Sequence, residues 1–177
     1  MLPTGQGETD GMSIKGAGRG TKRLVMVTLI LIAMLVAERS FPGEVYVADG
    51  DTIEMDGERI RLWGIDAPEL AQSCEREEGS FTCGKTAKLA LTELIVGSGK
   101  VLCEPKGKDR YGRTVAVCRA NGLELGTEMV ARGWAVDYAA YSHGYYRAEE
   151  AAARTTRLGI WRGQFELPAE WRRRHRR

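Results

Sequence analysis

Two short runs, Asp49-Gly50-Asp51-Thr52 and Ile65-Asp66-Ala67-Pro68-Glu69, place carboxylates at the two ends of what reads as one hairpin. Between them Ile53, Ile60, Leu62 and Ile65 form the apolar ribs of two strands. Asp56-Gly57 supplies the turn, because that dipeptide tolerates the positive φ of a tight hairpin loop. Folding back brings Asp51, near the start of one strand, towards Asp66, just past the end of the other. Two carboxylates sharing one cation, with water completing the shell, are hard oxygen ligands that suit calcium or magnesium better than zinc. Register decides what joins them, since a slip of one residue turns every side chain to the other face. A two-residue turn pairs Asp51 with Leu62 and sends Arg61 to the opposite face, whereas a three-residue loop with a bulge pairs Asp51 with Arg61. Both registers are compatible with the sequence. Taken singly, each aspartate is more ordinary as an Asx turn or strand-end cap; their joint spacing is what points to a site.

The elements that must position these residues follow from the rest of the chain. At 177 residues and 43% hydrophobic content it is long enough for one domain with a real core. Residues 1–23 are Gly-rich and polar, with Lys15, Arg19, Lys22 and Arg23 and no apolar periodicity. Leu24 to Ala37 is an apolar run of 14 residues broken only by Thr28. That length matches the hydrophobic region of a signal peptide and falls short of the roughly 20 residues that span a bilayer. Ala37 suits a cleavage site, although Leu35 is larger than usual there, so an uncleaved anchor over 24–37 is the alternative. Met12 is an alternative start. We therefore divide the chain into a leader (1–37), a folded domain (38–165) and a basic tail (166–177), and expect a secreted or periplasmic protein, or one anchored in the membrane and facing outside the cytoplasm.

Export favours disulfides over thiols. The four cysteines allow three connectivities, of which we expect Cys74 with Cys83 and Cys103 with Cys118. Zinc is disfavoured by the lack of any C-x-x-C spacing and by only two histidines, His143 and His175. Apolar residues at helical spacing, Ala87, Leu91, Leu94 and Ile95, predict a first helix from Gly84 to Val96. Val101 to Glu104 and Arg113 to Arg119 read as partner strands, the second ending at Asn121-Gly122. The connection between them carries Lys106, Lys108, Arg110 and Arg113 around Tyr111. A solvated hairpin tip is the ordinary meaning of such a charge run; opposite the carboxylates it could hold a phosphate. Leu125 to Ala131 predicts a second helix and Tyr145 to Leu158 a third, with Glu149, Glu150, Arg154 and Arg157 on its wet side. Trp134, Tyr138, Tyr141, Tyr145 and Tyr146 crowd the segment between them, mostly as core, with one or two free to stack a base. The Arg-rich end after Trp171 has no core to join.

Charge narrows the choice of partner. The chain has 26 basic and 24 acidic residues, and residues 1–37 hold four and two of them, leaving 22 of each. Five arginines sit in the last six residues, so the body is mildly acidic. Affinity for a polyanion must then come from a local patch, a metal and the tail, and should be salt-sensitive.

Taken in order, Asp49-Gly50-Asp51-Thr52, Arg61, Ile65-Asp66-Ala67-Pro68-Glu69 and Asp109-Arg110-Tyr111-Gly112-Arg113 resemble the staphylococcal (micrococcal) nuclease family, also called thermonuclease-like. The resemblance runs from about Phe41 to Trp161. It implies an α+β fold, a five-stranded OB-type Greek-key β-barrel with three packed α-helices. It also implies that Asp51, Asp66 and the backbone carbonyl of Ala67 hold one Ca²⁺, with Ala67 standing where members often carry Thr, and that Glu69 orients or deprotonates the attacking water. Arg61 and Arg113 would clamp the phosphate, a task suited to a planar, permanently charged fork. Arg110 and Tyr111 match positions that hold a terminal nucleotide phosphate, and Tyr138 is a candidate for base stacking. The implied substrates are DNA and RNA, single-stranded or breathing duplex, cut with little sequence choice to 3′-phosphates; we also expect a monomer without a small-molecule cofactor. Residues 69–84 form a longer loop than in the family's simplest member. Two other classes compete: a catalytically silent nucleic-acid-binding module on the same barrel, and a disulfide-stabilised calcium-binding structural domain. The usual signature of the first is loss of the acids or arginines, and all five are retained here; in the second, Arg61, Arg113 and Glu69 would have no purpose.

Overall fold

The computed structural model describes residues 44–175 and the backbone of the short strand Arg39–Ser40 (β1). The leader, the candidate anchor over 24–37 and the last two arginines lie outside the described residues. Among the described residues no helix is long and apolar enough to cross a membrane.

The frame is one mostly antiparallel sheet. Its main strands are β2 (Val45–Val47), β3 (Thr52–Met55), β4 (Glu58–Leu62), β8 (Val101–Lys108) and β9 (Thr114–Ala120), in the order β1-β8-β9-β4-β3-β2. β10 (Leu123–Glu124) adds to β9. The sheet curls into a half-barrel of the OB type with helices packed on it. Among the described strands only β4 and β9 run parallel, with Ile60 opposite Thr114 and Arg61 opposite Val115. Two small sheets stand outside: β5 (Ile65–Asp66) with β11 (Val136–Asp137), and the hairpin of β6 (Cys74–Arg76) and β7 (Gly79–Phe81).

The interior follows the alternation of the strands. Ile53, Met55, Ile60, Leu62, Ile65, Ala116 and Cys118 are all buried in one cluster. Against them lies helix α1 (Cys83–Ile95), whose Ala87, Ala90, Leu91 and Ile95 recur at helical spacing on its inner face. Helix α2 (Leu125–Ala131) buries Leu125, Met129 and Val130 in the same cluster. Fully burying one such aliphatic side chain contributes about 1.5–3 kcal/mol, so this apolar set is what fixes the sheet.

Three expectations change. β8 continues to Lys108, four residues past Glu104, because a bulge between Pro105 and Gly107 absorbs the register shift that Pro and Gly would otherwise end the strand with. A short helix not expected from the sequence, α3 (Ala139–Ser142), stops at His143 and Gly144, whose φ angles of 55° and 81° are left-handed, and the expected third helix is shorter than Tyr145 to Leu158, running as α4 (Arg147–Thr155). The basic end is also ordered, as α5 (Pro168–Arg174), with Pro168 placed in the first turn, where its missing N–H costs nothing. Both disulfides are formed as expected: Cys74–Cys83 closes the base of the β6–β7 hairpin onto α1, and Cys103–Cys118 joins directly opposed residues of β8 and β9.

Candidate active site

The hairpin takes the two-residue turn. Asp56 and Gly57 have φ of 51° and 77°, Met55 pairs with Glu58, and Thr52 pairs with Arg61. Asp51 thus faces Leu62, whose N–H donates to the Asp51 carbonyl at 2.8 Å. In this register Arg61 is expected on the face away from Asp51, yet its Nη1 donates to Asp51 Oδ1 at 2.6 Å. The reason is local: β3 begins only at Thr52, and Asp51 lies in a bend where strand alternation no longer applies. Asp49 Oδ1 holds that bend by accepting the Asp51 N–H at 3.0 Å. A side chain on Gly50 would collide with the Cβ atoms of Ala67 and Ala87 at 2.7 and 2.8 Å, so only glycine lets the bend lie against α1.

Both carboxylates are almost fully buried, Asp51 at 4% and Asp66 at 1% exposure. Arg61 links them, with Nη2 donating to Asp66 Oδ1 at 3.0 Å and to the Ile65 carbonyl at 3.2 Å. Thr52 Oγ1 and the Ala67 N–H donate to the two oxygens of Asp51 at 3.0 and 3.1 Å. Burial pulls the Arg61 pKa down, and the charges of Asp51 and Asp66 outweigh it, leaving it above the ordinary value. Asp49 is pushed up to about 6, first by burial and then by the charge of Asp51. Four acids, Asp49, Asp51, Asp66 and Glu69, thus gather around strand ends, and the site has a surplus of negative oxygen that a hard divalent cation would neutralise. Among the described residues no group of three or more His, Cys, Asp and Glu is arranged as a ready-made metal cage. Two aspartates and a carbonyl with water remain the fitting donor set.

Glu69 follows β5 on a loop clamped from two sides. Its N–H donates to Gln72 Oε1 at 3.2 Å, and a Cβ on Gly84 would lie 1.7 Å from its carbonyl oxygen. Its Oε1 accepts from Arg172 Nη1 at 2.9 Å. Arg172 also grips Asp66 with both nitrogens, Nη1 to Oδ1 and Nη2 to Oδ2, each at 2.9 Å. The contacts with Asp66 and Glu69 raise the Arg172 pKa against the opposing effect of burial. So the basic end, expected to be loose, reaches back across 106 residues into the carboxylates. The segment leading to it is tied down: Glu75 and Gln164 exchange backbone bonds at 2.8 and 2.9 Å, and buried Gln72 donates from Nε2 to the Glu166 carbonyl at 2.7 Å.

The remaining predicted residues take partners of their own outside this cluster. Arg113 turns to Asp109, Nε to Oδ2 at 2.7 Å, while the other Asp109 oxygen caps the Tyr111 and Arg113 N–H groups at 2.8 and 3.0 Å. Tyr111 is exposed, with the Arg110 and Arg113 guanidinium carbons 4.8 and 5.7 Å from its ring centroid. Tyr138 lies beside Tyr141, ring centroids 4.9 Å apart, and its N–H donates to the Gly64 carbonyl at 2.8 Å. Of the aromatic segment Tyr146 is core: it is buried, and its hydroxyl reaches Glu124 at 2.7 Å and the Trp63 carbonyl at 3.2 Å. Sequence reasoning missed Arg172, Gln72 and Gly84. The signals available were Pro168 opening a helical turn and a Trp171–His175 pair four apart, which do stack at 4.0 Å.

A curled OB-type sheet with acids and an arginine converging at its strand ends, and a basic loop at the neighbouring strand, defines a nuclease-type phosphodiester hydrolase. The comparisons agree. The family model described as "Staphylococcal nuclease homologue" matches residues 59–163, and the chain belongs to that family. It is 38% identical over 144 residues to the succinoglycan biosynthesis protein ExoI of Rhizobium meliloti, covering 80% of this chain and 75% of that protein. It is 31% identical to an uncharacterized endonuclease of Haemophilus influenzae, covering 86% of each chain. It is 32% identical to the micrococcal nuclease of Shigella flexneri, over 85% of this chain and 91% of the relative. Nucleases of this kind generally depend on a metal ion.

Proposed function

We propose that the protein is a Ca²⁺-dependent nuclease that hydrolyses DNA and RNA with little sequence choice, leaves 3′-phosphates and works outside the cytoplasm, released or held by its leader. The observation that carries this reading is the convergence of two buried carboxylates, Asp51 and Asp66, on one guanidinium at the strand ends. Asp51, Asp66 and the Ala67 carbonyl would hold the cation. When bound, it supplies Lewis-acid polarisation of a non-bridging phosphate oxygen. Glu69 takes a proton from the water as its oxygen bonds to phosphorus, the bond from phosphorus to the 5′ oxygen breaks, and that oxygen takes up a proton from solvent to leave as the 5′-hydroxyl. Arg61 and Arg113 donate to the equatorial oxygens as charge builds there, Arg113 exchanging Asp109 for phosphate. Arg110 and Tyr111 receive the terminal phosphate, and Tyr138 stacks a base. A site that reads phosphates and ring faces tolerates many sequences.

The test is cleavage of single-stranded DNA by the full chain in Ca²⁺ and in chelator, with Glu69→Gln alongside. Activity should require Ca²⁺ and fall by about 10²–10⁴-fold in the variant, with cation binding kept. A folded, Ca²⁺-binding protein that cuts nothing would leave the silent binding module as the reading.

A further inference from the structure

Arg172 sits where the proposed chemistry needs free oxygens. Both Asp66 oxygens accept from it, and so does Glu69 Oε1, each at 2.9 Å. Asp66 is one of the two carboxylates offered to the cation, and Glu69 is the residue offered to water. A guanidinium in bidentate contact satisfies a carboxylate's lone pairs and cancels its charge. It therefore competes with a divalent ion for the same oxygens, and the two positive charges repel at this range.

The tether has a firm base and a loosely seated end. Gln164 is hydrogen-bonded into β6, the strand carrying the Cys74 half of a disulfide, and the Glu166 carbonyl is held by Gln72. Beyond this base, α5 is seven residues long, and only its Pro168 is buried. Arg173 pairs with Glu170 within the helix and Arg174 with Glu166 behind it, both exposed. A helix this short has little stability of its own, so the Arg172 ion pairs are its main attachment to the carboxylates. Its last turn is wholly cationic, Arg172, Arg173 and Arg174, which once released would face a polyanion rather than an acidic pocket.

We propose that α5 is an autoinhibitory latch: Arg172 occupies the cation's carboxylate in the resting protein, and the divalent cation displaces it, freeing Asp66 and Glu69 together with an arginine strip for the phosphate backbone. This rests on the reading that Asp51 and Asp66 bind a divalent cation. Binding and catalytic readiness are then coupled through one side chain, since whatever takes Asp66 also uncovers Glu69.

Two measurements test the latch, neither relying on turnover. Calorimetric titration with Ca²⁺ of the full chain and of Arg172→Ala should show the variant binding about tenfold or more tightly, because the internal competitor is gone. Hydrogen–deuterium exchange of the unaltered protein, which needs no variant to fold, should show amides in 168–175 losing protection when Ca²⁺ is added while the β3–β4 hairpin keeps its own. Ca²⁺ affinity that is equal or weaker in Arg172→Ala, or a tail that stays protected in saturating Ca²⁺, overturns the latch and leaves the cation reading standing. No Ca²⁺ binding by either protein overturns both.

Discussion

The site has two halves built on different principles. The hairpin half, Asp51, Arg61 and Asp66, is embedded in the apolar core: its flanking Ile53, Ile60, Leu62 and Ile65 are each at most 1% exposed. The tail half, Arg172, arrives on a short helix that buries only Pro168; past Phe165, which packs on a small apolar cluster beside Cys74, Cys83 and Ile160, its ties to the body are mostly polar, backbone pairs, one glutamine and ion pairs. Core packing resists displacement as a unit, whereas polar ties yield one at a time to water and ions. The chain thus fixes the groups that must not move and leaves adjustable the one that covers them.

That contrast can be broken most severely from the hairpin side. Arg61→Ala leaves Asp51 and Asp66 buried and facing each other, and should lower stability by about 3–5 kcal/mol in urea unfolding with chelator present; a loss below about 1 kcal/mol would show that Arg172 alone can balance both acids. A smaller change of opposite sign is expected at the bend. Folding raises the Asp49 pKa from 3.8 to about 6, so the native state holds that proton more tightly than the unfolded chain. The stability this contributes is complete below about pH 4 and lost as pH rises through 6. Asp49→Asn, which keeps the acceptor for the Asp51 N–H, should therefore gain roughly 1–3 kcal/mol at pH 7 and flatten the pH–stability curve between 4 and 6. The mildest global effect belongs to the tail. An added Cβ at Gly163 would lie 1.9 Å from the Glu75 carbonyl, so Gly163→Ala should unseat the base of the tail. Global stability should change by less than about 1 kcal/mol, while exchange in 163–175 rises sharply. A cooperative loss of the whole domain would mean that the two halves are one unit.

Legibility in the sequence divided along the same line. Asp56-Gly57, the apolar ribs and the paired carboxylates were readable because turn chemistry and strand alternation are local. The reach of Arg61 to Asp51 was not, since it depends on the strand starting one residue late, at Thr52. Pro105 and Gly107 concealed the full length of β8, because residues that usually end a strand here flank a bulge within one. Arg172 was invisible for a different reason: its partners lie 106 and 103 residues away, and a run of arginines looks the same whether it waves in solvent or inserts into a cleft. Arg113, placed by resemblance at the phosphate, is found on Asp109 four residues before it, a pairing that the Asp109-Arg110-Tyr111-Gly112-Arg113 turn makes locally.

The parallel pairing of β4 with β9 sets the tempo at which this protein becomes itself. Arg61 opposite Val115 is a junction between segments more than fifty positions apart, in a sheet whose other neighbours are antiparallel. Every residue between them must be drawn into a closed excursion before that junction returns any free energy, so the barrel has a high contact order and should assemble in milliseconds to seconds rather than microseconds. A chain still emerging from the ribosome can hold its aspartate hairpin early, but it has no complete sheet until β9 is out, and the arginine that closes over its acids is made later still.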